Sequence, residues 1–345
     1  MTSSTKQSRL LISPRELSEL LNDNSASKPV ILDASWHMPN LNPPRDAYAE
    51  YKQIRLPGAR FWHVDNIATK ATSGLVLPHM MPTPETFANA CRKLGISRTS
   101  QVVVYDSYGM FTAPRTLFTF KAFGHERVSV LDGGLPRWRA EGHKVEESIA
   151  TYDKANEATH GPRLTEALYG EASEEGIDAL YSSYEVPKYD ASLVRSYQDV
   201  VDNSKKKLSE SGAEIVLDAR PAGRFRGVDP EPRAGLSSGH VPRSFSLPFS
   251  TLLSKPTSTK PSYQTLLPPR DLEAVFVEAL GGQETWQQVK NGDRGVFSTC
   301  GSGMTAAVIW LALKVAGREQ NAGLYDESWT GYASRPESKI EKGTQ

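Results

Sequence analysis

The chain has 345 residues, enough for two domains of ordinary size, and its 38% apolar and 23% charged residues are typical of a soluble globular protein. Lys and Arg total 40 and Asp and Glu total 40, so the formal net charge is zero, which argues against a nucleic-acid binder or an anionic-membrane binder. No apolar run approaches the ~20 residues of a membrane span, and no signal-peptide core follows Met1.

Two cysteines in a chain of this length do not make a disulfide framework, which favours a reducing compartment. Lys6 and Arg9 precede the first acidic residue, Glu16, among several serines and threonines, which is a weak form of the mitochondrial transit pattern. We therefore expect a cytoplasmic or mitochondrial protein.

The first half of the chain alternates helical and extended segments. Ser13 and Glu16 form a capping-box pattern that predicts a helix over 13–21. The run VVVYD (102–106) is short, apolar and β-branched, as in a buried strand. Between them, the spacing of apolar residues in 83–95 predicts a helix. Its apolar face consists of Phe87, Ala90, Cys91 and Leu94. The cysteine on that face is predicted to be a core residue.

The second half repeats the first. VILDASW (30–36) corresponds to IVLDARP (215–221), and TAPRTLFTFKAFG (112–124) corresponds to TAAVIWLALKVAG (305–317). SVLDGG and GLYDES match further along, in the same order. The constant order indicates a duplicated domain. Because strands alternate with helices, each copy is predicted to be α/β, with a parallel sheet flanked by helices on both faces.

These patterns divide the chain into three parts. We predict a first domain over 1–145, a linker over 146–187 and a second domain over 188–345. The linker is polar and poor in apolar periodicity, so we expect it to be partly flexible.

Cys300 stands between the predicted strand VFST and an apolar helix, at the start of the loop CGSGMT. Loop N–H groups and the helix dipole stabilise negative charge at such a position. Gly301 and Gly303 let the backbone curl, and Ser302 and Thr305 add hydroxyl donors. The sequence therefore predicts a partly ionised, nucleophilic thiol.

Other uses of this loop fit less well. A cysteine at a strand end is often a small buried residue. The loop lacks the third glycine of a dinucleotide fingerprint and the Lys-Ser/Thr of a Walker loop. Cysteine-based phosphatases need an arginine six positions after the cysteine, where this chain has Ala306. The seven histidines show no metal-ligand spacing, so no metal site is predicted.

With these motifs in view, the chain resembles the tandem-domain rhodanese superfamily and, within it, the 3-mercaptopyruvate sulfurtransferases. CGSGMT is similar to that group's loop, with Met304 in place of valine, whereas thiosulfate sulfurtransferases carry Arg and Lys after the cysteine. The likeness covers nearly the whole chain, through LDASWHMPN, LPGARFWHVD, LDGGLPRW, GRFRGVDPEPR, GHVPRS and YDESW.

The resemblance implies roles for particular residues. Cys300 would carry a persulfide held by the loop residues Gly301, Gly303, Met304 and Thr305. Arg224 and Arg233 would bind the carboxylate of the keto acid. Asp65, His79 and Ser302 would form a proton relay. Asp106 lies opposite the cysteine in the duplication, so the first domain would be non-catalytic.

The predicted activity is transfer of sulfane sulfur from 3-mercaptopyruvate to cyanide or to a thiol such as thioredoxin, with release of pyruvate. This chemistry requires no cofactor or metal. A thiosulfate sulfurtransferase is the near alternative. A sulfur-relay or binding protein that serves a partner, such as a tRNA-thiolation system, is the alternative from another class.

Overall fold

The computed structural model describes residues 9–24, 27–70, 74–147, 183–318, 320 and 322–343. The chain folds into two compact units. The first unit comprises 1–67, 82–189 and 256–264, and the second comprises 68–81, 190–255 and 265–345. Each unit is described separately below.

The first unit is a parallel α/β structure. Its strands are β1 (Leu11–Ile12), β2 (Val30–Asp33), β3 (Ile54–Arg55), β4 (Arg60–Phe61), β5 (Val102–Tyr105), β6 (Val128–Leu131) and β7 (Glu146–Glu147). Its helices are α1 (Pro14–Asn22), α2 (Ala47–Gln53), α3 (Val64–Ile67), α4 (Pro84–Lys93), α5 (Ala113–Ala122) and α6 (Gly134–Ala140). Five strands form one sheet in the order β1-β6-β5-β2-β4, with every neighbouring pair parallel. A separate antiparallel pair joins β3 and β7.

The second unit repeats this arrangement. Its strands are β8 (Val194–Arg195), β9 (Ile215–Asp218), β10 (Ser244–Ser246), β11 (Val296–Thr299) and β12 (Gly323–Tyr325). Its α-helices are α7 (Tyr197–Lys205), α8 (Ala222–Arg226), α9 (Pro269–Ala279), α10 (Gln283–Asn291), α11 (Ala306–Val315) and α12 (Ser328–Ala333), with short 3₁₀ helices at Ala191–Leu193 and Phe249–Leu252. The sheet order β10-β9-β11-β12-β8 is that of the first unit read from the other edge, and all its pairs are parallel.

Helices cover both faces of each sheet, and the central strands are therefore buried on both faces. All four residues of β5 and of β11 are buried. In the first unit, Val103 and Tyr105 pack in one cluster with residues of α1, α2 and α6. Strand geometry turns their neighbours, Val102 and Val104, to the opposite face, where β5 packs against α5. The α/β prediction is confirmed.

The predictions from local sequence patterns in the first unit are also confirmed. Ser13 and Glu16 form the reciprocal capping box at the start of α1. The predicted apolar face of α4 is buried, and Gly95 after that helix has a left-handed φ of 59°. Cys91 is a buried core residue, and burial raises the pKa of its thiol well above the ordinary value.

The predicted linker is ordered at both ends. Glu146 and Glu147 form β7, and Tyr184 is buried in the first unit, where its hydroxyl lies 3.1 Å from Nδ1 of His125. Residues 148–182, which hold most of the predicted linker, lie outside the described residues. The domain boundaries at 145 and 188 stay a prediction.

The described helices include none long and apolar enough to cross a membrane.

Candidate active site

Cys300 follows the last residue of the central strand of the second sheet. Thr299 pairs with Asp218 of β9, and the loop from Gly301 to Thr305 leads into α11. The cysteine is only 1% exposed. Because parallel strands end at the same edge of a sheet, the segments after β9, β11 and β12 meet around its sulfur.

The loop is held from the start of α12. Ser328 Oγ accepts the N–H groups of Cys300 (3.1 Å) and Gly303 (3.0 Å). The carbonyl of Cys300 accepts the N–H of Trp329 at 2.8 Å, and that of Gly301 accepts both the N–H and the hydroxyl of Thr330. These bonds fix the cysteine backbone from a segment 28 residues further along the chain.

The loop leaves several donors for a ligand. Among the described residues, the N–H groups of Ser302, Met304 and Thr305 have no protein acceptor. Gly303 has a left-handed φ of 79°, which permits the tight curl. The loop then enters the N-terminus of α11, a helix of ten residues whose dipole favours negative charge. This setting suits an anionic sulfur.

Two of the predicted arginines lie beside the loop. A Cβ placed on Gly301 would be 3.4 Å from a terminal nitrogen of Arg224 and 3.7 Å from one of Arg233. Arg224 is paired with Glu231, which accepts hydrogen bonds from its Nε and one terminal nitrogen. The side chain of Arg233 forms no hydrogen bond or ion pair within the described ranges.

The guanidinium of Arg233 interacts electrostatically with Cys300 and Arg224. Burial lowers the pKa of its guanidinium, while Cys300 raises it and Arg224 lowers it. The side chain is therefore half-buried, close to Cys300, and not neutralised by a salt bridge in the described structure. An anionic group beside Arg233 would pair with this charge.

Arg220 has a structural role. It is buried between Asp218 and Glu231, donates to the carbonyl of Gly239, and lies 4.0 Å over the ring of Trp329. The shared carboxylate of Glu231 thus ties this arginine to Arg224.

The three predicted relay residues are divided between the units. Asp65, in the first unit, is exposed and accepts a hydrogen bond from Trp36 Nε1 at 2.8 Å. His79, in the second unit, is buried and has an unusual φ of 61°. Its segment is anchored by Met81, whose N–H donates to Asp326 at 2.7 Å. Ser302 is buried in the loop. The relay itself stays a prediction.

The first unit contains the corresponding loop. Asp106 follows β5 as Cys300 follows β11, and its carboxyl group accepts five backbone N–H groups at 2.6–2.9 Å. The donors are Tyr108, Gly109, Phe111, Thr112 and Ala113. In the duplication, the loop amides of Ser302, Met304 and Thr305 correspond to three of these donors. Each unit therefore has a loop after its central strand whose N–H groups can bind an acidic group, and this set of N–H groups is called the cradle below. In the first unit the cradle binds the carboxyl group of Asp106.

Sequence reasoning missed Ser328 and Glu231. Both belong to motifs that were recognised, YDESW and DPEPR, but no local pattern marks their contacts. The duplication held one signal, since Ser328 aligns with Gly134 and both have a left-handed φ, 51° and 52°. The described residues contain no cluster of three or more His, Cys, Asp or Glu side chains that could hold a metal ion.

Comparison with known proteins agrees with this architecture. The rhodanese-like domain family matches residues 13–141 and 201–335. "Thiosulfate/3-mercaptopyruvate sulfurtransferase 1, mitochondrial" of Arabidopsis thaliana is 37% identical over 317 residues, which cover 90% of this chain and 73% of the relative. "3-mercaptopyruvate sulfurtransferase" of Homo sapiens is 29% identical over 97% of this chain and 96% of its own. The crystal structure of the Tum1 protein from Saccharomyces cerevisiae matches with a TM-score of 0.73 and 26% identity, covering 97% of this chain and 98% of Tum1.

The fold and the loop cysteine define a sulfurtransferase built from two rhodanese domains. The chain belongs to the thiosulfate/3-mercaptopyruvate sulfurtransferase family.

Proposed function

We propose that the protein transfers sulfur from 3-mercaptopyruvate to a thiol through a persulfide on Cys300. The Cys300 thiolate attacks the substrate sulfur and forms an S–S bond. The carbon–sulfur bond breaks, its electron pair stays on carbon as the enolate of pyruvate, and protonation yields pyruvate. An acceptor thiolate then attacks the outer sulfur, takes it as a persulfide and regenerates the Cys300 thiolate.

The absence of charge in the loop is the observation that favours mercaptopyruvate over thiosulfate as the sulfur donor. Thiosulfate is a compact dianion whose charge lies next to the sulfur that is attacked, so cations in the loop favour it. The two positions after Cys300 are Gly301 and Ser302, neither of which carries charge. A keto acid instead carries its permanent charge on a carboxylate several atoms away, and Arg224 and Arg233 lie beside Gly301 to receive it.

The two arginines are expected to contribute unequally. Glu231 already occupies the Nε and one terminal nitrogen of Arg224, so this residue has few donors left for substrate. The Arg233 side chain keeps its whole donor fork, and among the described residues no salt bridge neutralises its charge. We therefore assign the bidentate carboxylate contact to Arg233 and a supporting contact to Arg224.

The remaining loop residues hold sulfur and protons. The N–H groups of Gly301, Ser302, Met304 and Thr305 are proposed to bind the outer sulfur of the persulfide. The N–H of Gly303, which the resemblance also implied, donates to Ser328 Oγ instead. Ser302, with His79 and Asp65, is proposed to accept the proton of the substrate thiol. The first domain, with Asp106 in its cradle, is proposed to be non-catalytic. A thiol protein such as thioredoxin is the proposed acceptor.

The deciding experiment measures steady-state pyruvate release from 3-mercaptopyruvate and thiocyanate formation from thiosulfate with cyanide, on the same preparation. We expect kcat/KM for mercaptopyruvate to be at least tenfold higher. The reverse preference would establish the thiosulfate sulfurtransferase alternative, which the uncompensated Arg233 beside the loop would also suit.

Intact mass after incubation with mercaptopyruvate, without an acceptor, identifies the carrier. The wild type should gain one sulfur and Cys300→Ser none, while Cys91→Ser serves as the matched cysteine control and should still gain one. Sulfur retained by Cys300→Ser would overturn the proposed mechanism. Turnover only in the presence of a specific protein partner would favour a sulfur-relay function.

A further inference from the structure

Ser328 adopts a backbone conformation that serine rarely takes. Its φ is 51°, in the left-handed region, and it is fully buried. The corresponding residue of the first unit is Gly134, with a φ of 52°. Glycine would therefore satisfy the backbone, and the serine hydroxyl needs another explanation.

The contacts of the hydroxyl provide one. Ser328 Oγ accepts the N–H groups of Cys300 and Gly303 and donates its proton to the carbonyl of Tyr325 at 2.8 Å. The same Oγ lies 4.0 Å from Cys300 Sγ. A hydroxyl has one proton, so Ser328 donates either to the carbonyl or to the sulfur.

We propose that Ser328 is a positioning residue for Cys300 whose hydroxyl proton turns from the Tyr325 carbonyl to Sγ when that sulfur becomes negatively charged. The proposal rests on the proposed function only in that Cys300 alternates between thiolate and persulfide. A hydrogen bond to the charged form stabilises it. The two accepted amides keep Oγ in place while the proton turns.

The expected benefit is greatest when the persulfide is discharged. The acceptor's electron pair forms a bond to the outer sulfur, and the S–S electron pair leaves on Sγ as the thiolate. A more stable thiolate is a better leaving group. In the donor step the same stabilisation yields more thiolate but makes it a weaker nucleophile, so the two effects partly cancel.

Other charged groups lie on the elements packed against this loop. They include Asp218 and Arg220 at the end of β9, Arg224 in α8, Glu231 and Arg233 in the segment that follows, and Asp326 and Glu327 between β12 and α12. None of them is altered by substituting Ser328, so a change in the titration of Cys300 would report the lost hydroxyl.

The test compares Ser328→Gly and Ser328→Ala. Both lack the hydroxyl, but only glycine relaxes at a φ of 51°. Ser334→Ala is the control, since it removes another serine hydroxyl of the same region, one that donates to the carbonyl of Thr330. Alkylation of Cys300 by iodoacetamide is followed against pH, with the labelled peptide identified by mass.

Both Ser328 variants should move the alkylation profile by about one pH unit toward alkaline, which means about tenfold slower alkylation on the acid side. Ser334→Ala should leave it in place. An unmoved profile in both Ser328 variants, or a shift in Ser328→Ala alone, would overturn the proposal, because the second result would trace the effect to backbone strain.

Discharge is measured separately, with the persulfide loaded from inorganic polysulfide and mixed rapidly with cyanide. Thiocyanate release should be at least threefold slower in both Ser328 variants than in the wild type. Equal rates would overturn the role in discharge. Neither assay uses mercaptopyruvate, so the inference and the proposed donor fail independently.

Discussion

The two loops that follow the central strands correspond in the duplication, but the first begins with an aspartate and the second with a cysteine. In the first unit, Asp106 supplies a carboxyl group that accepts five loop amides. In the second unit, Cys300 takes the same place, and several corresponding amides have no protein acceptor in the described structure. The same cradle therefore stabilises the fold when its anion is built in. In the second unit, the proposed role of the cradle is to bind a sulfur anion.

The two units also differ in the arginines that lie near these loops. The position of Ser35 in the first unit, whose hydroxyl accepts the N–H of Ser107, is taken in the second by Arg220. Around that arginine the second unit adds Glu231, Arg224 and Arg233, beside the reactive loop. Both loops thus offer N–H groups to an acidic group, and the loop of the second unit has Arg224 and Arg233 beside it.

The largest expected effect is a loss of stability when the carboxyl group of Asp106 is changed. Asp106→Asn replaces one acceptor oxygen by an N–H₂ group that faces backbone donors, so the variant should lose on the order of 4 kcal/mol of unfolding free energy. Cys300→Ser, the same site in the other unit, should change it by less than about 1 kcal/mol. Urea unfolding of the full chain measures both. Equal losses would show that the two cradles depend on their central residue alike.

Removing the uncompensated arginine should have the next largest effect. Arg233→Gln should lower kcat/KM for mercaptopyruvate by an amount equivalent to about 3 kcal/mol, because a bidentate, charge-assisted contact is lost. Arg224→Gln should cost about half as much, since Glu231 already holds two of its donors. Alkylation of Cys300 by a neutral reagent is the control. If alkylation falls in parallel with turnover, the arginines act on the thiol and not on the substrate.

Loop charge should control donor choice. Gly301→Arg combined with Ser302→Lys should raise kcat/KM for thiosulfate and lower it for mercaptopyruvate, a change in ratio of about 100-fold, or roughly 2.7 kcal/mol. The new thiosulfate activity should also be more sensitive to ionic strength. A folded, alkylatable double variant with the wild-type ratio would exclude the loop as the selectivity element.

The smallest effect concerns acid stability. Burial lowers the pKa of His125 to about 4, and the corresponding residue of the second unit is Arg318, which does not titrate near neutrality. Because the unfolded chain binds the proton more readily, His125 contributes stability that is present above pH ~6.5 and is lost as pH falls toward 4. The loss should reach about 2 kcal/mol by pH ~5.

His125→Gln should remove this pH dependence. The difference in unfolding free energy between wild type and variant, measured in urea at several pH values, should shrink from pH 7 to 4. His143→Gln is the matched control, because it removes another histidine of the first unit that is more exposed than His125. A constant difference across the range would contradict the role assigned to His125.

The sequence alone determined the features that depend on near neighbours or on the repeat. Capping at Ser13, the buried strands of both halves and the α/β class were all predicted because backbone preference and apolar periodicity act over a few residues. The nucleophilic role of Cys300 stays a prediction. Alignment of the chain with itself also showed that Asp106 occupies the position corresponding to Cys300.

Only the tertiary structure decided which distant groups meet. The parallel sheet brings the ends of β9, β11 and β12 to one edge, so Ser328 reaches the amide of Cys300 across 28 residues. It also decided that Glu231 holds Arg224 and leaves Arg233 without a described partner, a difference between two arginines that look alike in the sequence. Hydrogen bonds and ion pairs form over a few ångströms, and the spacing of residues along the chain does not set those distances until the strands have paired.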